Sequence, residues 1–212
     1  FSSDVPFPPE SMEHTNLGLF LTRWVTHFCA PLFFLLAGVA AWLYERQVGA
    51  GALRRFLLTR GPWLIALELT VMGFAWSFVP GFSFAGVIWC LGWSFLSLAG
   101  LSFLGARALL VLGAAVIALH NLADGVRTED FGSAGFLYGL AHRSGPIVLP
   151  GGTHWRVLFP WIPWMAVMWL GYGLGPLFAW DAERRRRTLL LAGAAMVAAF
   201  CLLLTVLVAA PA

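Results

Sequence analysis

The sequence predicts an all-α fold, a polytopic transmembrane helical bundle with about six spans. Of its 212 residues, 60% are apolar and only 11% are charged, whereas an average soluble chain carries about 25% charged residues. Apolar segments of about 20 residues, the length needed to cross a bilayer, recur along the chain. The 13 positive charges are all arginines, and they cluster in the short segments between those apolar runs. A soluble globular domain is therefore excluded.

Each predicted span is a run with little or no charge that is long enough to cross the hydrocarbon core. The spans are, in chain order, 24–44, 62–83, 84–106, 108–123, 157–180 and 188–212. The second contains one charged residue, Glu68, and the fourth contains His120 as its one ionisable side chain. No second, soluble domain is recognisable, so residues 1–212 are predicted to form a single integral membrane domain.

The fifth span and the loop before it carry the strongest local signals. Two prolines, three residues apart at the start of the fifth span, either form an ordinary first turn or break the helix where it lines a cavity. Residues 125–156 form a long loop, in which 136–141 is predicted to be a short interfacial helix. Gly171 and Gly175 have the G-x-x-x-G spacing that lets helix backbones approach closely, and we interpret them as packing residues.

The distribution of arginine predicts the orientation, because short cytoplasmic loops retain positive charge. Nine arginines fall on one side of the alternating spans: Arg46, Arg54, Arg55, Arg60, Arg107, Arg184, Arg185, Arg186 and Arg187. The other side holds the remaining four, together with six acidic residues. We therefore expect a multi-pass protein of the inner (cytoplasmic) membrane. Residues 46–60 and 184–187 should be cytoplasmic, and residues 1–21 and 124–156 should be outside.

Composition and spacing also argue against several function classes. Nucleic-acid binding is not expected, because the net charge of +3 is not gathered on one face. Cys29, Cys90 and Cys201 lie far apart inside predicted spans, so neither a disulfide framework nor a cysteine metal site is indicated. The five histidines lack a compact H-x-x-x-H spacing, so no metal is expected. Nucleophile elbows, P-loops and kinase signatures are absent from the sequence.

Ionisable side chains within or beside the spans are functional candidates, because hydrocarbon makes them costly. His120 and Asn121 end the fourth span, and Asp124 follows, so an α-helix would place all three on one face at the outer interface. An aspartate within reach of a histidine fixes its tautomer and raises its basicity, as a general base requires. The alternative is a helix C-terminus whose polar residues bind the last carbonyl groups, and spacing alone favours that alternative.

Three more residues on the outer side and one carboxylate within a span complete the candidates. Arg23 and His27 form an i, i+4 pair at the outer end of the first span, and His142 lies in the external loop. Arg23 has the simpler role of reaching lipid phosphates, whereas His27 either hydrogen-bonds inside the bundle or lines an outward-opening pocket. Glu68 needs a partner in hydrocarbon, which is water in a cavity, a basic residue on an upstream helix, or its own proton.

The order of several motifs along the chain resembles one family. The motifs are TRWVTHFCAP at 22–31, ELT at 68–70, IWCLGWS at 88–94, HNLAD at 120–124, LAH at 140–142, PW at 163–164 and GYG at 171–173, followed by an arginine run. This set resembles the bacterial relatives of the heparan-α-glucosaminide N-acetyltransferase catalytic domain, many of which are known only as a domain of unknown function. The resemblance extends over nearly the whole chain.

The resemblance implies a membrane acyltransferase that moves an acetyl or acyl group from cytoplasmic acetyl-CoA to an amino sugar or glycan across the membrane. The roles proposed on that basis are catalytic for His120 and Asp124, substrate-binding for Asn121, His27, Arg23 and His142, and structural on the CoA side for Glu68. The lipid bilayer and a glycan or amino-sugar acceptor are the expected partners. The oligomeric state, a homo-oligomer included, is left open.

Members of this family normally begin with a helix that bears a D-x-x-R-G motif at its cytoplasmic end and a histidine near its outer end. The sequence begins after that point, and an external N-terminal stretch also requires an upstream helix, so we expect an N-terminally truncated domain that is inactive alone if that histidine is required.

Two other functions are kept as alternatives. A transporter or flippase of a polar lipid or sugar would use the same inward-facing ionisable residues, but such proteins often show repeated halves, which this sequence lacks. A non-catalytic membrane partner is the second alternative, and the clustering of polar residues on one face makes it less economical.

Overall fold

The computed structural model describes residues 16–77, 83–127, 131–132, 134–148 and 154–209. Most of the described chain is helical, and its strands form one three-stranded sheet. Several of the helices are long and apolar enough to cross a bilayer. The predicted all-α membrane bundle is therefore confirmed.

The first half of the chain is a series of helices followed by a short strand. Its elements are α1 Leu17–His27, α2 Cys29–Val48, α3 Ala50–Leu67, a π-helical turn Glu68–Met72, α4 Gly73–Ser77 and β1 Ser83–Ala85. α1 begins after Asn16, whose side-chain oxygen accepts a 2.8 Å hydrogen bond from the amide of Leu19. Gly49 separates α2 from α3 with a φ of 86°, a conformation that glycine adopts without steric cost.

The second half contains five helices of the described chain and the rest of the sheet. Its elements are α5 Val87–Leu101, a 3₁₀ turn Ser102–Leu104, α6 Gly105–Leu119, a 3₁₀ turn His120–Ala123, α7 Gly135–His142, β2 Gly145–Val148, β3 His154–Val157, α8 Trp161–Leu174, a 3₁₀ turn Gly175–Ala179 and α9 Ala182–Ala209. α7 confirms the short helix predicted at 136–141. Pro160 caps α8 and Pro163 lies in its first turn, so these prolines form an ordinary helix start.

The sheet ties the beginning of α5 to the beginning of α8. β3 is its central strand, parallel to β1 and antiparallel to β2. The register pairs Phe84 with Arg156 and Ile147 with Trp155. The amides of Leu158 and Phe159 both donate to the carbonyl oxygen of Ala85, at 2.9 and 3.2 Å. These bonds continue the sheet up to the proline that precedes α8.

The core lies between α2, α3, α5 and α8. Phe34, Leu53, Leu57, Leu98 and Met168 are all at most 1% exposed. Glycines bring the helix backbones together at each crossing, as small residues do in membrane bundles. A Cβ placed on the glycine would lie 2.6 Å from the facing helix at Gly92 on α5 and at Gly173 on α8, and 2.7 Å from it at Gly113 on α6.

Gly171 and Gly175 both face α2, which confirms their interpretation as packing residues. A Cβ on Gly171 would overlap the carbonyl oxygen of Leu35, and one on Gly175 would lie 2.5 Å from the side chain of Trp42.

We expect Gly171→Ala to lower the stability of the bundle by about 1–3 kcal/mol, because the α2 backbone has to move away from α8. Thermal unfolding in detergent, followed by size-exclusion chromatography, measures the change. Gly193→Ala on the exposed helix α9 is the matched control, because no atom lies within 4 Å of the added Cβ. Alanine there should leave stability unchanged or raise it by up to about 1 kcal/mol. Equal effects of the two substitutions would contradict this account of the packing.

The count of six spans was too high, since four helical segments of the described chain are long and apolar enough to cross a membrane. They are Leu21–Val48, Val87–Ala123, Trp161–Ala179 and Ala182–Leu203. Two predicted spans, 84–106 and 108–123, fall within the second of these segments, where the helix is interrupted around Gly105. The predicted span 62–83 is not among the four, and its residues 78–82 lie outside the described chain.

Candidate active site

A hydrogen bond between Asp124 and His142 joins the turn after α6 to α7. The Oδ1 atom of Asp124 lies 2.7 Å from Nε2 of His142. Only 3% of the His142 side chain is exposed, whereas 66% of the Asp124 side chain is exposed. Arg143 adds a second link, because its Nη2 donates to the carbonyl oxygen of Asp124 at 3.3 Å. The carboxylate thus faces solvent on one side and holds a buried imidazole on the other.

Aromatic rings hold His142 in place. The ring of Tyr138 stacks on it at 5.3 Å between centroids, and Phe131 stacks on the other side of Tyr138 at the same distance. The Tyr138 hydroxyl donates a 2.6 Å hydrogen bond to the carbonyl oxygen of Ala123. The His120 ring meets His142 edge to face, with centroids 6.1 Å apart. The structure therefore brings together three residues singled out from the sequence, His120, Asp124 and His142.

The prediction that Asp124 orients His120 is not met by this geometry. It assumed an α-helical turn, but residues 120–123 form a 3₁₀ turn, which has three residues per turn instead of 3.6. The carboxylate consequently reaches His142. Nδ1 of His120 lies 2.8 Å from the carbonyl oxygen of Ile117, so this nitrogen is assigned as the donor and Nε2 carries the lone pair. A backbone carbonyl therefore fixes the tautomer that the aspartate was expected to fix.

The other predicted outer residues are less constrained. Asn121 is exposed on the 3₁₀ turn. His27 is exposed on α1, and its Nδ1 lies 2.7 Å from the carbonyl oxygen of Arg23 in the same helix. Arg23 itself is half-buried. Two histidines remain. His14 lies outside the described residues, and so does the side chain of His154.

Glu68 finds its partner in a helix N-terminus. The residue is 2% exposed, and its Oε2 accepts a 3.3 Å hydrogen bond from the amide of Trp89. The amides of Gly86 and Ile88 also bond to the carboxyl group. The first amides of α5 lack partners within their own helix, and a carboxyl group beside them is favoured by the helix dipole. A Cβ on Gly86 would overlap Oε1 of Glu68, which explains glycine at that position.

Glu68 lies farther along its helix than the sequence indicated, and its predicted place on the CoA side stays a prediction. That prediction counted from Pro62 as the cytoplasmic end of the span, but Pro62 lies inside α3, which begins at Ala50. Glu68 directly follows α3, so about 21 Å of helix separates it from Arg54, near the start of that helix. Its partners at the start of α5 lie beside the sheet.

His120 and Glu68 lie at the same end of the bundle, called here the histidine end. Gly173 of α8 packs on Leu110 of α6, and Gly113 packs between Ala166 and Leu170. The two helices are therefore antiparallel. Seven residues after Gly113 on α6, and seven residues back along α8, His120 lies level with Trp161, the first residue of α8. Trp161 stacks on Trp89, whose amide binds Glu68.

The opposite end of the bundle, called here the arginine end, contains a cavity of about 740 Å³. Its lining comes from the ends of α2 and α8, the start of α3 and the turn before α6: Trp42, Glu45, Arg46, Ala50, Arg54, Ser102, Phe103, Gly105, Ala106 and Tyr172. The Arg46 guanidinium lies over the Trp42 ring at 5.5 Å, and that of Arg54 lies over Phe103 at 5.9 Å. The Tyr172 hydroxyl donates to the Glu45 carboxylate.

Sequence reasoning used these arginines only to orient the chain and missed the cavity. Glu45 and Tyr172 are 127 residues apart, so spacing could not pair them. One signal was available, because Tyr172 belongs to the GYG motif that carried part of the family resemblance. Two arginines beside aromatic rings in a cavity of this size can bind phosphate groups through charge-assisted hydrogen bonds and stack on a planar base.

Within the described residues, no group of three or more histidine, cysteine or acidic side chains is arranged to hold a metal ion.

Comparison with known proteins identified one family. The model for heparan-alpha-glucosaminide N-acetyltransferase, catalytic, matches residues 10–205. No curated protein and no solved structure matches the chain.

Proposed function

This chain belongs to the heparan-alpha-glucosaminide N-acetyltransferase catalytic family, and from that premise we propose that it transfers an acetyl group from acetyl-CoA to an amino sugar or glycan on the opposite side of the membrane. The donor would bind at the arginine end, which we place on the cytoplasmic side of the cell's inner membrane. The acceptor would bind at the histidine end, outside.

The arginine-lined cavity is the observation that carries this proposal. CoA is rich in phosphate and contains an adenine, and the cavity offers Arg46 and Arg54 for the phosphates and aromatic rings for the base. Its volume of about 740 Å³ lies in the range of small-molecule sites. From Ala106 in its wall to His120 at the other end, α6 rises by about 21 Å. The pantetheine arm would run along the interior toward the histidine end.

At the histidine end, His120 is proposed as the general base. Its Nε2 carries the lone pair, since Nδ1 faces the Ile117 carbonyl oxygen. Asp124 and His142, which are hydrogen-bonded to each other, would hold the cluster together. The carboxylate would also favour the positive charge that His120 gains when it accepts a proton. Asn121, Arg23 and His27 would contact the acceptor from the exposed rim.

The proposed reaction is a direct acyl transfer. The amino nitrogen of the acceptor attacks the thioester carbonyl carbon, so that a C–N bond forms and the carbonyl π electrons move to oxygen. Nε2 of His120 takes a proton from the nitrogen. The carbonyl then re-forms and the C–S bond breaks, with its electron pair leaving on sulfur. The thiolate accepts the proton that His120 took, which restores the neutral imidazole, and the products are an amide and free CoA.

Purified protein in detergent, supplied with acetyl-labelled CoA and glucosamine, should form labelled N-acetylglucosamine and free thiol in equal amounts. N-acetylglucosamine offered as acceptor is the matched control, because its nitrogen is already acylated, and it should give neither product. Thiol release that is independent of the acceptor amine, or no amide at all, would overturn the proposed function.

A further inference from the structure

Three tryptophans form a packed cluster between α5 and α8. Trp89 stacks on Trp161 with centroids 5.3 Å apart and an interplanar angle of 25°. Trp93, one turn further along α5, lies 4.9 Å from Trp161 and 6.4 Å from Trp89. The cluster lies at the histidine end, since Trp161 is the first residue of α8.

Two indole N–H groups in this cluster have no acceptor among the described residues. They are the Nε1 atoms of Trp93 and Trp161, both buried from solvent. A buried donor without a partner pays its full desolvation cost, so native structures rarely keep one without a reason. Trp169, on the same helix as Trp161, shows the usual arrangement, because its Nε1 donates to the Ser97 hydroxyl at 3.0 Å.

We propose that the N–H groups of Trp93 and Trp161 bind the carbonyl oxygen of the acyl group during its transfer. This inference rests on the proposed function and adds the residues that hold the negative charge. When the acceptor nitrogen bonds to the carbonyl carbon, the π electrons move to this oxygen, and two fixed N–H donors stabilise it there. The charge returns to the carbonyl bond as sulfur leaves, so the indoles neither gain nor lose a proton.

Burial selects an acyl carbonyl over a sugar hydroxyl as the acceptor of these hydrogen bonds. Both donor atoms are buried, and their rings pack against each other and against Trp89. An acetyl group brings one oxygen and one methyl group into such a place, whereas a sugar brings several hydroxyl groups that would all need partners. The level of Trp161 matches that of His120, so the oxygen and the base would act at the same depth of the bundle.

The test compares three tryptophan-to-phenylalanine variants of the full chain, at positions 93, 161 and 169. Trp93→Phe and Trp161→Phe should each lower kcat by about 10²- to 10³-fold, while the KM for acetyl-CoA rises by only a few fold, since the donors bind the carbonyl of the ground state weakly and the transition state strongly. Trp169→Phe should retain kcat. Its midpoint of thermal unfolding should fall more than those of the other two, because it loses a hydrogen bond and they lose none.

A second measurement tests the inference without turnover. Acetyl-CoA should stabilise the wild type against heat more than CoA does, and this difference should vanish in Trp93→Phe and Trp161→Phe but persist in Trp169→Phe. A wild type that transfers no acyl group overturns the proposed function, and the heat-stability difference then decides this inference. An active wild type with equally active Trp93 and Trp161 variants overturns this inference alone, and the two indoles would then be packing residues.

Discussion

His120→Gln should lower kcat for acyl transfer by about 10²- to 10⁴-fold, the range that general-base catalysis contributes. Glutamine keeps a hydrogen-bonding side chain of similar length but cannot accept the proton that the acceptor amine must lose. The thermal unfolding midpoint should change little, because the side chain is part-buried and its bond to the Ile117 carbonyl oxygen closes within its own turn. Rates with glucosamine, measured across a series of amine concentrations, separate this loss in kcat from a change in acceptor affinity.

Asp124→Asn and His142→Gln test whether the hydrogen bond between Asp124 and His142 supports His120 as the base. Each breaks the 2.7 Å pair between the two side chains, and each should lower kcat less than His120→Gln does, because the pair acts through His120. His142→Gln should also reduce thermal stability, since the ring is buried in the aromatic stack. If His142→Gln abolishes transfer while His120→Gln retains it, His142 is the base. If His120→Gln and Asp124→Asn both retain wild-type rates, the catalytic assignment is wrong.

Removing both cavity arginines should raise the KM for acetyl-CoA by about 10²- to 10⁴-fold with little change in kcat. Arg46→Ala with Arg54→Ala deletes two cations, and a hydrogen bond to a charged group contributes about 1.5–3 kcal/mol. Initial rates across a series of acetyl-CoA concentrations measure the effect. The phosphates of the donor lie far from the reacting carbonyl, so the arginines would bind them equally in the ground state and in the transition state. Their loss therefore changes KM and leaves kcat nearly unchanged.

Two controls separate phosphate binding from a general loss of charge. Arg55→Ala changes the exposed neighbour of Arg54 and should leave KM unchanged, because Arg55 does not line the cavity. S-acetyl-pantetheine, a donor without phosphates, should bind wild type and the double variant equally well. A double variant that discriminates between the two donors as strongly as wild type does would show that CoA binds elsewhere.

Sequence reasoning identified the bundle because its evidence was compositional. Long uncharged runs must be buried in lipid, whatever their neighbours are, so the helices could be marked without tertiary information. The number of spans was overestimated, because charge and length alone divided the apolar segment Val87–Ala123 into two spans at Arg107. The strands escaped detection for a related reason. Each is three or four residues long, too short for an alternating pattern to stand out.

The sequence identified the residues of the candidate site better than it identified the contacts between them. His120, Asp124 and His142 were all singled out, since polar residues near a span are rare enough to be noticed. Their pairing depends on a 3₁₀ turn that spacing rules for α-helices misplace. For Glu68 the expected partner was water in a cavity, a basic residue on an upstream helix or its own proton. Backbone amides some 20 residues later in the chain bind it instead, and amides leave no mark in a sequence.

The central claim is transfer of an acyl group between the two ends of the bundle, and sealed proteoliposomes test it most directly. Glucosamine is trapped inside the vesicles, and acetyl-labelled CoA, which does not cross lipid, is added outside. The account predicts labelled N-acetylglucosamine inside and an equal amount of free CoA outside, made by those molecules whose arginine end faces outward. Glucosamine that leaves the vesicles without consumption of acetyl-CoA would contradict the account and identify a transporter instead.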